Sequence, residues 1–124
     1  MKSPNLRASF GFARDGLRWA WGHERNFRIH TLAATLSILA GGYFGLSRWE
    51  WLALAAAITQ VMVAELLNTA VENVVDLASP QVHPLARVAK NVAAAAVLLS
   101  AFFAVAVGYV LFAPRLWLLW QPGR

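Results

Sequence analysis

The sequence predicts an all-α membrane protein, with three transmembrane helices preceded by an N-terminal amphipathic surface helix. Three observations carry that expectation. Of the 124 residues, 59% are hydrophobic and 14% charged, with a mean hydropathy of +0.51 and six tryptophans, a composition found in chains that live in lipid. Positions 29–47 and 91–114 hold no Lys, Arg, Asp or Glu, and each run is close to the ~20 residues that cross a hydrocarbon layer. A third run, from 49 to 77, is interrupted only by Glu50 at one end and by a group of acids at the other.

The surface helix is expected over about 5–21. If the helix continues that far, Arg7, Arg14, Arg18 and Arg25 fall within about 20° of one another. Leu6, Phe10, Ala13, Leu17 and Ala20 make an apolar face beside that basic stripe, the pattern of a helix lying in the headgroup layer. A solvated basic flank that only sets topology is the alternative. The first span is expected over about 26–46, with Gly41, Gly42 and Gly45 near its far end. The Gly41-x-x-x-Gly45 spacing permits close helix contact, and the same glycines can equally end the helix. Trp49 and Trp51 anchor the start of a second span, about 49–77. Pro80 and Pro84 then break the pattern, and a third span follows over about 86–112. Ala93 to Ala96 give it a small-residue start that favours dense packing, and Pro114 marks its expected exit ahead of Trp117 and Trp120.

Counting Lys and Arg gives the topology. With the amino terminus inside, Lys2, Arg7, Arg14, Arg18, Arg25, Arg28, Arg87 and Lys90 are cytoplasmic, leaving Arg48, Arg115 and Arg124 outside. The expected location is the inner membrane of the cell, with the acidic end of the second span toward the cytoplasm. The net charge of +5 and pI near 10.8 fit anionic headgroups better than nucleic acid, since no groove-reading motif is present. The absence of cysteine excludes disulfides, thiolate metal sites and cysteine nucleophiles. The first long apolar run begins only near Phe27, which argues against a signal peptide.

The chemistry concentrates in ELLNTAVENVVD, residues 65–76. At 100° per residue, Glu65, Asn68, Glu72 and Asp76 lie at about 0°, −60°, −20° and +20°, one narrow helical face. An ionised side chain at mid-bilayer costs roughly 2.5–3.5 kcal/mol, so this face needs partners, a metal or water. Carboxylates one or two turns apart can hold Mg2+, which prefers oxygen ligands and keeps water or substrate phosphate in its shell. Glu72 suits that role, and Glu24, expected at the same depth, can add a ligand from another helix. Glu65 is the deepest, and a partly apolar site makes a carboxylate a better base near neutral pH. Lys90 enters the third span at this depth and can meet phosphate oxygens. Alternatively, the acids pair with Arg28, Arg87 or Lys90 and merely hold helices together. His23, His30 and His83 lack metal-ligand spacing and receive no catalytic role. There is no Walker A sequence or nucleophile elbow.

These residues resemble the small prokaryotic integral-membrane diacylglycerol kinase and undecaprenol kinase family, over nearly the whole chain. The strongest likeness is Glu65-Leu66-Leu67-Asn68-Thr69-Ala70-Val71-Glu72 with Val75-Asp76. It is supported by Gly16-Leu17, by Glu24-Arg25-Asn26-Phe27-Arg28-Ile29-His30, and by Ala89-Lys90 leading into Ala96-Val97-Leu98-Leu99. The resemblance implies one membrane kinase domain over 1–124, a homotrimer, and ATP- and Mg2+-dependent phosphorylation of a membrane lipid hydroxyl, that of diacylglycerol or undecaprenol. It implies Glu65 as general base, Asn68 as orienting group, Glu24 and Glu72 as Mg2+ ligands, Asp76 on the nucleotide side and Lys90 on ATP phosphate. Asn91 follows that lysine where the family pattern has Asp, keeping hydrogen bonding but losing charge. Phe12 lacks a hydroxyl that some relatives carry. The ELLNTAVE and ERNFRIH wording looks more like the undecaprenol kinase branch. Two other classes also use buried acids. An ion- or proton-coupled transporter is expected to show more spans or inverted repeats, and a structural packing protein would tolerate apolar replacements of the acids.

Overall fold

The computed structural model describes Lys2 and residues 4–121; Arg124, counted above for topology, lies outside the described residues. Four helices follow one another: α1, Leu6–His23; α2, Arg25–Phe44; α3, Arg48–Ala78; and α4, Pro84–Trp120. Each boundary has a local cause. Asn5 caps α1, its Oδ1 accepting from Ala8 N at 2.9 Å. Glu24 is extended (φ −102°, ψ 108°), and its N–H donates to the Ala20 carbonyl at 2.8 Å. That break puts Arg25 in α2, so the basic stripe of α1 is Arg7, Arg14 and Arg18 and does not run on to Arg25 as the unbroken pattern suggested. Gly45 ends α2 in the left-handed region at φ +65°, where a Cβ would be strained. Ser47 and Glu50 form a reciprocal capping box at the start of α3. His83 caps α4, with Pro84 at a position where its missing N–H costs nothing.

At 1.5 Å per residue, α3 and α4 are ~46 Å and ~55 Å long, and both are apolar enough to cross a membrane. They form the most extensive interface, with α2 packed on α3 and α1 touching α2. Leu46, Leu54 and Leu111 make the buried cluster at one end, against Trp51, Ile58, Val107 and Phe112. From there a stripe of buried positions runs along α3: Leu54, Ala57, Val61, Glu65 and Thr69. The spacing is that of one helical face, and the stripe changes from apolar to polar as it approaches the other end.

Pro114 does not end the last helix, which continues through it to Trp120. A proline inside a helix disturbs carbonyls one turn back. Here the Arg115 guanidinium donates to the Leu111 carbonyl, while its Nη2 lies 2.9 Å from both carboxylate oxygens of Glu50. The Arg115 cation thereby binds a carbonyl next to the one freed by Pro114, that of Val110, and ties α4 to the start of α3.

The two glycines of the Gly41-x-x-x-Gly45 pair do different jobs. Gly45 is the cap, and Gly41 is buried where a Cβ would lie 2.8 Å from Trp51 Cη2 and 2.9 Å from Leu46 Cδ1. Gly41→Val is therefore expected to destabilise the fold by about 1–3 kcal/mol through overpacking. Thermal unfolding in detergent is the check, with Gly42→Val, whose site is open, as the control.

Candidate active site

The joint between α1 and α2 holds the first acid in place. The Glu24 carbonyl accepts from Arg28 N at 3.3 Å, and the Arg28 guanidinium reaches back to the Trp21 and Gly22 carbonyls at 2.9 and 3.3 Å. A cation on the last carbonyls of a helix is favourable, and it occupies Arg28 away from the acids. Glu24 is left half-buried, facing α3 with no cationic side chain in ion-pair range among the described residues.

Glu65 stands on the buried stripe of α3 at 2% relative exposure. Glu65 Oε1 is buried without a hydrogen-bond partner, although His30 Nε2 from α2 lies 3.1 Å away, off the line of a hydrogen bond. The carboxylates of Glu24 and Glu72 are close enough to act on Glu65 by Coulomb repulsion. One turn along α3, Asn68 Nδ2 donates to Glu72 Oε1 at 3.0 Å, leaving Asn68 Oδ1 buried and unpaired. Glu24, Glu65, Asn68 and Glu72 thus belong to one cluster, and His30 joins it unforeseen.

Asp76 belongs to a second cluster. Its Oδ1 accepts from Lys90 Nζ at 2.5 Å, which links the end of α3 to the start of α4. Both side chains line a cleft of about 300 Å³ with His83, Arg87 and Asn91. The single acidic face read from the sequence is therefore divided by its neighbours, with α2 meeting Glu65 and α4 meeting Asp76. Of the cations considered as partners for the acids, only Lys90 takes one.

A buried carboxylate with two half-buried ones near enough to repel it, beside an unpaired amide oxygen, favours a bound cation. Among the described residues, no three His, Asp or Glu side chains form a self-sufficient metal cage. The donor types that are present, the half-buried carboxylates of Glu24 and Glu72, are those of Mg2+ held by one or two carboxylates plus substrate phosphate.

The family model described as prokaryotic diacylglycerol kinase matches residues 11–112. A diacylglycerol kinase from Synechocystis is 46% identical over 115 residues, covering 92% of this chain and 66% of that protein. An undecaprenol kinase from Bacillus subtilis is 39% identical over 108 residues, covering 87% of this chain and 88% of that protein. A diacylglycerol kinase from Escherichia coli is 34% identical over 95 residues, covering 77% and 78%. With two apolar helices of spanning length, a carboxylate cluster at one end of the bundle and a family match over most of its length, the chain belongs to the prokaryotic diacylglycerol kinase family of lipid kinases.

Proposed function

We propose that this protein transfers the γ-phosphoryl group of ATP to the hydroxyl of a membrane lipid, diacylglycerol or undecaprenol, with Mg2+. One observation supports this reading above the others: Glu24, at the α1–α2 joint, and Glu72 on α3 act electrostatically on the buried Glu65, and among the described residues no Lys or Arg pairs with any of the three, His30 alone lying 3.1 Å from Glu65. In this arrangement the lipid hydroxyl, at headgroup depth, meets a buried carboxylate beside two carboxylates that would hold the cation. A packing role is poorly served by it, because unpaired buried acids oppose packing.

In this reading Glu65 accepts the hydroxyl proton as the oxygen attacks phosphorus in line with the departing ADP oxygen. Asn68, fixed through its Nδ2 to Glu72, presents Oδ1 to orient the reacting groups. Glu24 and Glu72 hold Mg2+, which when bound offsets the charge on the phosphate oxygens. Lys90 meets ATP phosphate from the cleft it lines with Arg87, His83 and Asn91, and Asp76 aims that lysine. Lys90→Met is expected to raise the KM for ATP at least tenfold and leave the KM for lipid within about twofold. Steady-state kinetics with each substrate varied in turn will show it.

The proposed setting is a homotrimer in the inner membrane, with α2 as the third span and the amino terminus and carboxylates on the cytoplasmic side. Two features support α2 in lipid. Its hydroxyls are satisfied within the helix, Thr31 donating to Phe27 O at 2.8 Å, Thr35 to Thr31 O at 2.9 Å and Ser37 to Ala33 O at 2.8 Å. Its outer face also carries exposed Ile29, Leu32, Leu36 and Leu39. The substrate is settled by incubating purified protein with γ-labelled ATP, Mg2+ and vesicles containing diacylglycerol, undecaprenol or neither. Label in one lipid phosphate identifies the acceptor, and label released only as inorganic phosphate overturns the lipid-kinase reading.

A further inference from the structure

We propose that copies of this chain join in parallel along the exposed face of α3, with Thr59 and Asn73 of neighbouring copies hydrogen-bonded to one another across the seam. The inference deepens the homotrimer of the proposed setting, on which it rests, by naming the surface and the polar contacts that join it. α2 and α3 treat their polar side chains differently. On α2 the hydroxyls of Thr31, Thr35 and Ser37 all bond back to the helix. On α3 the side chains of Thr59, Gln60 and Asn73 are exposed and make no hydrogen bond among the described residues. Thr59 and Gln60 lie in a stretch, 51–64, without Lys, Arg, Asp or Glu, where lipid chains offer them no partner. In membranes such groups hydrogen-bond across to a neighbouring helix.

Their placement fits a second copy of the chain. Ala56, Thr59, Val63, Leu66, Ala70 and Asn73 follow one another at alternating steps of three and four, and Leu52 and Leu77 extend the series at its two ends. That is the seven-residue repeat of helices wound about each other in a left-handed seam. All of these positions are exposed except half-buried Leu66, and none belongs to the buried stripe of α3. Copies inserted with one topology run parallel, so Thr59 meets Thr59 and Asn73 meets Asn73 at equal depth. Hydroxyl and amide each carry both a donor and an acceptor, so each pairs with its own kind. On one side of the seam lies a groove of about 500 Å³ against α1, touched by Leu66, Ala70 and Asn73. On the other lies a groove of about 350 Å³ against α4, touched by Gln60 and Val63. The ridge of one copy can enter the groove of the next, an arrangement that repeats around a closed ring. The seam is about 38 Å long and about 10 Å wide. Contacts on both sides then cover roughly 800 Å² per copy, the area of a stable specific interface.

The chain has no cysteine, so single introduced cysteines report contacts between copies directly. Val63→Cys and Ala70→Cys on the seam are compared, in vesicles under a mild oxidant, with Ala64→Cys and Val71→Cys on the α4 side of the same helix. Leu36→Cys and Leu99→Cys, on exposed faces of α2 and α4, complete the set. The expected result is covalent dimer formed at least tenfold faster at the two seam positions than at the other four. Thr59→Val combined with Asn73→Ala is expected to dissociate at an at least threefold higher protein concentration on dilution in detergent, while Thr59→Ser, which keeps the hydroxyl, matches the unmodified protein. Equal cross-linking at all six positions, or faster cross-linking at Leu36→Cys or Leu99→Cys, overturns the proposal and leaves the homotrimer to another surface. A monomer mass by light scattering overturns it together with the homotrimer, and unchanged dissociation of the double variant overturns the polar contacts. Lipid phosphorylation by the same preparations is read separately, so an active monomer would sink this assembly without touching the kinase reading.

Discussion

Replacing Glu65 by Gln is expected to lower turnover by about 10²–10⁴-fold, the usual worth of a positioned general base, while the helices stay folded. The exchange keeps the size and shape of the side chain and removes an ionisable group from a site with 2% exposure. Burying a neutral amide is less costly than burying a charge. The variant removes the repulsion from Glu24 and Glu72 together with the attraction of His30, so its thermal stability is expected to stay close to that of the unmodified protein. A loss of activity combined with retained stability isolates the chemical role. Lipid phosphorylation and thermal unfolding in the same detergent measure both, and phosphorylation at the unmodified rate would remove Glu65 from the mechanism.

The second large effect is expected at Glu72. Glu72→Gln should move the Mg2+ activation curve to concentrations at least tenfold higher, with part of the lost rate recovered at saturating metal. This substitution is informative because of the Asn68 contact. Asn68 Nδ2 donates to Glu72 Oε1, and a glutamine carbonyl accepts the same bond, so Asn68 keeps its orientation while the charge is lost. Removing one anionic oxygen ligand from a site with few protein ligands weakens a hard cation directly. An Mg2+ titration superimposable on that of the unmodified protein would exclude the ligand role.

Much of the fold could be read from the sequence because lipid imposes simple rules. Charge-free runs of spanning length, tryptophans at their ends and an amphipathic basic start located all four helices. Their ends moved by local chemistry that residue counting does not see. Pro114 looked like an exit, yet the helix continues through it to Trp120, with Arg115 tied to Glu50, 65 positions away in sequence. Arg25 looked like part of the surface stripe until the extended backbone at Glu24 separated α1 from α2.

The candidate site was legible in the same uneven way. Helical spacing put Glu65, Asn68 and Glu72 together, and depth brought in Glu24. His30 was passed over because a single histidine, without ligand spacing, gives no sign of its neighbours; only the packing of α2 on α3 sets its ring 3.1 Å from Glu65. Likewise Asp76 shares a face with Glu65 in projection, but contact with α4 assigns it to Lys90 and to a separate cleft.

The most direct test of the central claim, that the Glu24, Glu65 and Glu72 cluster is the site of phosphoryl transfer to lipid, is a single-turnover assay. Unmodified protein and Glu65→Gln, both in vesicles with Mg2+ and γ-labelled ATP, are compared for label appearing in lipid phosphate. The expected result is rapid labelling of the lipid by the unmodified protein and a rate at least a hundredfold lower in the variant, with ATP binding equal in the two. Equal labelling by both proteins, or labelled inorganic phosphate without labelled lipid from the unmodified one, would contradict it.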